Sequence, residues 1–245
     1  MSDLHLEFYP GTPPSAKLPG GDLLILAGDI ITANLPRHNW FETISKKYTD
    51  IVYVLGNHEF YHGDITQTRL NIKAFVPDNF HVLENEVFEV DGLRVLGTTM
   101  WSDFEKDNPN SILNVGAGMN DFRIIQNGSF TFTPQTAYTM FQEAQAFLST
   151  NIKTGDIVVT HHAPSFASIA NRYRESALNG GFASDVSELI LDTKPSCWIH
   201  GHIHTTNNYM IGNTAIVSNA RGYYPSEMNS QFDWEASIYR EANAA

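Results

Sequence analysis

Four short apolar runs in this chain each stop at an Asp, Asn or His. Residues 22–27 run into Gly28-Asp29, and 51–55 into Gly56-Asn57-His58-Glu59. Residues 156–160 run into His161-His162, and 196–199 into His200-Gly201-His202-Ile203-His204. Short apolar runs bounded by turn residues read as buried strands. An α/β fold that sets such strands side by side gathers the loops at their carboxyl ends along one edge. A fifth polar cluster, Asp3 and His5, opens the chain.

Between the strands the spacing turns helical. Trp40, Phe41, Ile44 and Tyr48 recur at helical intervals over 37–48. Thr133-Pro134 reads as a cap followed by a proline in the first turn. That helix is expected to reach about Ser149, with Phe141, Ala144 and Leu148 on one face. A shorter helix is expected over 184–191. Hairpins are expected over 87–96, turning at Asp91-Gly92, and over 209–217, turning at Gly212-Asn213. The mixture predicts an α/β sandwich with sheets inside and helices outside. With no repeat, linker or composition shift, residues 1–245 read as one domain. Residues 10–21 and 101–132, rich in Gly, Pro and Asn, read as loops.

Composition narrows the function. Apolar residues are 42% of 245, enough for a real core. No run approaches the roughly 18 apolar residues of a membrane span, and the first residues lack the basic and apolar regions of a signal peptide. Cys197 is the only cysteine, so no internal disulfide forms and a reducing cytoplasm is the expected compartment. The net charge of −12 disfavours binding to long nucleic acid and argues against a nuclease. It does not bear on small anions, because a metal inverts the local field.

Each polar cluster has a plain structural reading. Gly-Asp makes turns, Asn57 could cap a helix, and a doubled histidine can be one packed ring and one exposed ring. Their joint occurrence at strand ends is harder to explain that way, since seven of the ten histidines lie inside them. Asp, Asn and His together suit manganese, iron, zinc or cobalt, and are too rich in nitrogen for calcium. Seven such side chains are more than one ion needs. They suit two ions sharing a bridging carboxylate, an arrangement that clamps a phosphoryl group and acidifies water.

In this order, Asp3-Leu-His5, Gly28-Asp29, Gly56-Asn57-His58-Glu59, His161-His162 and Gly201-His202-Ile203-His204 resemble the motif set of the calcineurin-like metallophosphoesterases. The resemblance runs from residue 3 to 204. It implies a four-layer α/β/β/α sandwich of two mixed β-sheets flanked by helices, with two divalent metal ions, manganese favoured. It implies that Asp3, His5 and His204 hold one ion, that Asn57, His161 and His202 hold the other, and that Asp29 bridges them. It gives His58 a catalytic rather than a ligating role. The implied reaction is in-line attack on phosphorus by a hydroxide bridging the metals, with His58 assisting the leaving oxygen.

Glu59 and His162 are candidates for supporting the ligands from behind. Arg123, Arg221 and His62 are candidates for gripping substrate, although a structural ion pair or solvent would explain each of them too. A small chain without an inserted cap points to a phosphodiesterase on small or nucleotide-like diesters, with a phosphomonoesterase as the alternative. Ile30-Ile31 and Phe60-Tyr61 beside the motifs lower a protein-phosphatase reading. Intact ligands and His58 argue against a non-catalytic scaffold. Only Met1 and Ser2 precede Asp3, where the family has a strand. Either a short leader strand is missing ahead of it or Asp3 sits on a frayed end, and the first metal site is expected to be the weaker.

Overall fold

The computed structural model describes residues 1–9, 17–34 and 39–238. Three parallel strands, β1 (Gly21–Ala27), β2 (Tyr48–Val54) and β3 (Phe80–Leu83), form the first sheet. The second sheet has six strands in the order β8-β9-β7-β6-β5-β4. These are β4 (Glu86–Val90), β5 (Leu93–Thr98), β6 (Ile157–Thr160), β7 (Cys197–His200), β8 (Asn207–Ile211) and β9 (Thr214–Ser218). Its central strands β5, β6, β7 and β9 run parallel, and the hairpin partners β4 and β8 are antiparallel edges.

Side-chain alternation explains the layering. Along β1 and β2, Ala27, Val52 and Val54 point inward, where they meet Leu83, Val95, Val159, Cys197 and Ile199 between the sheets. The alternate residues Leu24, Leu26, Ile51 and Tyr53 point outward into a second apolar cluster. Trp40, Phe41 and Ile44 of helix α1 (Asn39–Ser45) and Ile65 and Ile72 of α2 (Ile65–Phe75) belong to that cluster. So do Leu96, Val158, Trp198 and Ile216 from the outer face of the second sheet, with the buried stripe Phe141, Ala144 and Leu148 of the long helix Pro134–Asn151. Period-two burial on strands and a helical stripe on each side give four layers, α/β/β/α.

Several expected boundaries are found within a few residues. Thr133 caps the long helix through Thr136 N, with Pro134 in its first turn. Asp91 and Gly92, both with positive φ, make the first hairpin turn. The expected helix over 37–48 begins at Asn39 among described residues, and 37–38 lie outside them. Most of the expected loop over 10–21 also lies outside them, save residues 17–20. The expected loop over 101–132 is a correction. It holds the helix Pro109–Gly118 and the short turn Asp121–Ile124. Asn108 caps the former, with Pro109 at its start, so the Pro and Asn that suggested loop are a helix beginning. Among the described residues no helix is long and apolar enough to cross a membrane.

Candidate metal centre

Parallel β1, β2, β6 and β7 point their carboxyl ends to one edge, and their following loops carry Asp29, Asn57, His161 and His202. Two glycines let the loops approach. A Cβ on Gly28 would lie 2.3 Å from His161 Nδ1, and one on Gly56 would lie 2.2 Å from Asp29 Oδ1. Gly28 also has φ +85°, a conformation side chains resist.

Asp3, His5 and His204 converge in one group, and Asp29, His161 and His202 in another, each with its ligand atoms within 4.8 Å of one another. His5 Nε2 lies 3.2 Å from His204 Nε2, and His204 Nε2 lies 3.4 Å from Asp3 Oδ1. Asp29 stands between the groups. Its Oδ1 is 3.3 Å from His161 Nε2, and its Oδ2 is 3.8 Å from His5 Nε2. Asn57 Oδ1 lies 3.1 Å from His161 Nε2, because its amide nitrogen donates to Asp121 Oδ1 at 2.8 Å and to the Tyr61 hydroxyl. Asp3, His5, Asp29 and His202 all have left-handed backbones. Non-glycine residues adopt that conformation at a cost of roughly 1–2 kcal/mol each, which clusters at functional sites.

The donor set fits two divalent cations. His202 Nε2 is buried with no hydrogen-bond partner among the described residues, a costly arrangement for a polar atom without a ligand to bind. Burial and the neighbouring histidines hold His202 well below the usual imidazole range, so its lone pair is free. His161 donates through Nδ1 to the Ala27 carbonyl, which aims Nε2 at Asp29. Burial opposes its protonation, but the Asp29 charge outweighs burial and raises it to about 9. His204 is half-buried, which opposes its charge, but its bonds to Asp3 and Glu227 raise it to about 10. A cation entering either group displaces these protons.

The opening segment is a correction. Asp3, His5 and Leu6 donate from their backbones to Gly28, Asp29 and Ile30 carbonyls at 2.9–3.0 Å. On the other flank Ser2 donates to Asn219, while Arg221 and Gly222 donate to Ser2 and Asp3. Residues 2–5 are fully buried, and Leu4 and Leu6 belong to the core. Asp3 is therefore not on a frayed end, and the expected weakness of the first site loses its basis.

Around the ligands, Glu59 is fully buried and accepts from Asp29 N, Ile30 N, Ile31 N, Gly56 N and the Tyr53 hydroxyl. It thus shapes the two loops that carry Asp29 and Asn57. Burial and the Asp29 charge push its carboxyl up to about 7. All five partners are donors, so the carboxylate is the form this geometry fits. His162 is buried beside His202, its ring 4.4 Å away, with Nδ1 on the Thr99 carbonyl. Burial and His161 lower it to about 3.

His58 stands beside the first group, its ring centroid 4.4 Å from that of His5. Its Nδ1 lies 2.9 Å from Glu7 Oε1, which also bonds His5 Nδ1 at 3.1 Å. Its Nε2 lies 3.2 Å from the Tyr223 hydroxyl. Burial works against its charge, but Asp29 and Glu7 raise it above the usual imidazole value. Glu7 is absent from the sequence-derived site. Its signal was the period-two spacing Asp3, His5, Glu7, which a surface acid shares.

The three residues expected to grip substrate lie elsewhere. Arg123 is exposed and donates to the Ala117 carbonyl at the end of the helix Pro109–Gly118. His62 is exposed and lines a separate cavity with Asp64 and Gln67. Arg221 lines a pocket to which no expected metal ligand contributes. The space beside the metal groups is a cavity of about 280 Å³ at His202 and His204, walled by Ile169, Leu178, Phe182 and Tyr223.

Residues 2–206 match the model of the calcineurin-like phosphoesterases. The chain belongs to this family. Family members hydrolyse phosphoesters with divalent metals, and the two side-chain groups above are where this member would hold them. Uncharacterized protein L509 of Acanthamoeba polyphaga mimivirus is 28% identical over 256 residues, spanning 91% of this chain and 90% of its own. Phosphopantetheinyl hydrolase of Mycobacterium tuberculosis superposes with a TM-score of 0.69 at 13% identity, covering 91% of this chain and 88% of its own. At that identity the likeness establishes the fold alone.

Proposed function

We infer that this phosphoesterase is a phosphodiesterase for small or nucleotide-like diesters. The observation that carries the reading is the makeup of the 280 Å³ cavity at His202 and His204. Its walls are mainly apolar and aromatic, suited to an ester's organic group. Among the described residues its one guanidinium, Arg172, is largely exposed and lies 4.0 Å from Glu227. A monoester brings a second negative charge that needs a partner at the site. Arg123 and Arg221, the candidates for that task, do not line this cavity.

Two divalent ions, when bound by Asp3, His5, Asp29, Asn57, His161, His202 and His204, supply Lewis acidity and lower the pKa of water. The remaining work belongs to side chains. Glu7 fixes the His58 ring through Nδ1, leaving Nε2 to give a proton to the departing ester oxygen. The Tyr223 hydroxyl, 3.2 Å from that nitrogen, occupies the position the departing oxygen would take. Phe182, stacked 4.8 Å from the His202 ring, orients that ligand and walls the cavity.

The test compares turnover of bis-p-nitrophenyl phosphate and p-nitrophenyl phosphate by the manganese-loaded protein. The diester is expected to have the higher kcat/KM. A preference for the monoester overturns the reading.

A further inference from the structure

Arg221 is a buried cation with no anionic partner among the described residues. Its side chain is 5% exposed, and Nη1 is buried with no hydrogen-bond partner. Among the described residues no carboxylate forms an ion pair with it. Aromatic rings cover it instead: its central carbon lies 4.5 Å from the Tyr9 ring centroid, 5.6 Å from Trp234 and 5.9 Å from Tyr224. Rings over a guanidinium stabilise the charge through their negative faces but accept no hydrogen bond from its N–H edge. A buried charge is ordinarily paired and hydrogen-bonded, since desolvation is costly otherwise.

The guanidinium lines a pocket of about 560 Å³. Lys17, Met228, Phe232 and Trp234 line it too. Lys17 is exposed, so the pocket offers one buried and one exposed cation beside apolar walls. Among the described lining residues this makes a local charge of +2, in a chain whose net charge is −12. None of the seven expected metal ligands lines the pocket. Arg221 is nonetheless tied to the first metal group, because its backbone N–H donates to Ser2 O, one residue from Asp3.

We propose that this pocket is a second ligand site, for an organic phosphomonoester bound apart from the metal centre. The unpaired N–H edge of Arg221 matches two phosphate oxygens, Lys17 balances the second negative charge, and Met228, Phe232 and Trp234 receive the organic group. A dianion fits a pocket with two cations better than a carboxylate does. The assignment is independent of which ester the metal centre cleaves.

The test titrates the full-length, manganese-loaded protein with phenyl phosphate by calorimetry, and in parallel by tryptophan fluorescence, which Trp234 reports from the pocket wall. Saturable binding with a fluorescence change is expected, and its absence in both measurements overturns the site. Arg221→Gln should weaken that binding about ten- to a hundredfold, the worth of a charged hydrogen bond. Asp29→Asn, which alters the metal centre, should keep it. Unchanged affinity in Arg221→Gln, or loss of all binding in Asp29→Asn, overturns the proposal. If Arg221→Gln does not fold, Lys17→Gln on the surface serves: weaker binding supports the site and unchanged binding refutes it. Benzoate should bind more weakly than phenyl phosphate; equal or tighter benzoate binding refutes the phosphate assignment.

Discussion

Replacing Glu59 by Gln tests how the metal edge is held together. The two carboxylate oxygens divide five donors between them. Oε1 takes Ile30 N at 2.6 Å, Ile31 N at 3.2 Å and the Tyr53 hydroxyl at 2.7 Å. Oε2 takes Asp29 N at 2.8 Å and Gly56 N at 2.6 Å. Glutamine keeps the shape and one acceptor. Set with its oxygen toward the three donors, it turns an NH₂ group against Asp29 N and Gly56 N. Two buried donors then lose their partner, at about 1–3 kcal/mol each, or roughly 2–6 kcal/mol in all. Set the other way, it orphans three. Urea unfolding should show the midpoint falling by roughly 0.7–2 M for an m-value near 3 kcal/mol/M. The orphaned amides belong to Asp29 and to the residue before Asn57, so manganese affinity should fall about ten- to a hundredfold. Tyr53→Phe removes one donor and leaves the carboxylate four, so it should cost only about 1 kcal/mol and keep the metal. A Glu59→Gln protein with the wild-type midpoint and wild-type manganese stoichiometry would refute the argument that this carboxylate organises both loops.

Glu7→Gln should lower kcat on the preferred ester by about ten- to a hundredfold, the usual loss when a histidine's outer partner is removed. Manganese content should stay near wild type if the main loss is at His58, and elemental analysis beside the rate checks this. Asp64→Ala should destabilise the protein by about 1 kcal/mol, since Asp64 caps α2 through Thr66 N and Gln67 N and also accepts from Gly128 N. Those backbone bonds lower the Asp64 pKa below its ordinary value. Its contribution is therefore complete above the unfolded carboxylate pKa and disappears as pH falls through the lower folded value. Wild type and Asp64→Ala should differ in urea midpoint at pH 6 and converge in strong acid; a gap that persists at pH 2 would count against this cause.

What could be seen in advance was local. The strands that lead into the ligands were visible because burial makes their runs almost continuously apolar, as in Ile51 to Leu55. Thr133-Pro134 and Asp91-Gly92 carried their own geometry. The strand Phe80–Leu83 was missed, because four residues make too short a pattern. Helix α2 hid because polar Thr66, Gln67 and Asn71 break up its apolar stripe of Ile65 and Ile72. Arg123, Arg221 and His62 lie away from the metal groups, which the sequence did not show for another reason. A charged side chain reaches several ångströms from its backbone, and its direction depends on neighbours distant in sequence, such as Tyr9 for Arg221.

The sequence by itself determined the layered α/β class and the ligand-bearing loops, because strand periodicity and residue chemistry are local properties. It also placed those loops at one edge, since parallel strands share a direction. Only the tertiary structure decided how the donors are held. The opening segment is ordered because residues 28–30 on one side and 219–222 on the other supply its hydrogen bonds. Glu59 reaches Asp29 because two loops thirty residues apart fold against one carboxylate. Glu7 becomes the link between His5 and His58 by the same long-range closure. Such contacts have no periodic signature in the chain, because they join segments whose sequence separation is set by the fold rather than by the turn of a helix or the pleat of a strand.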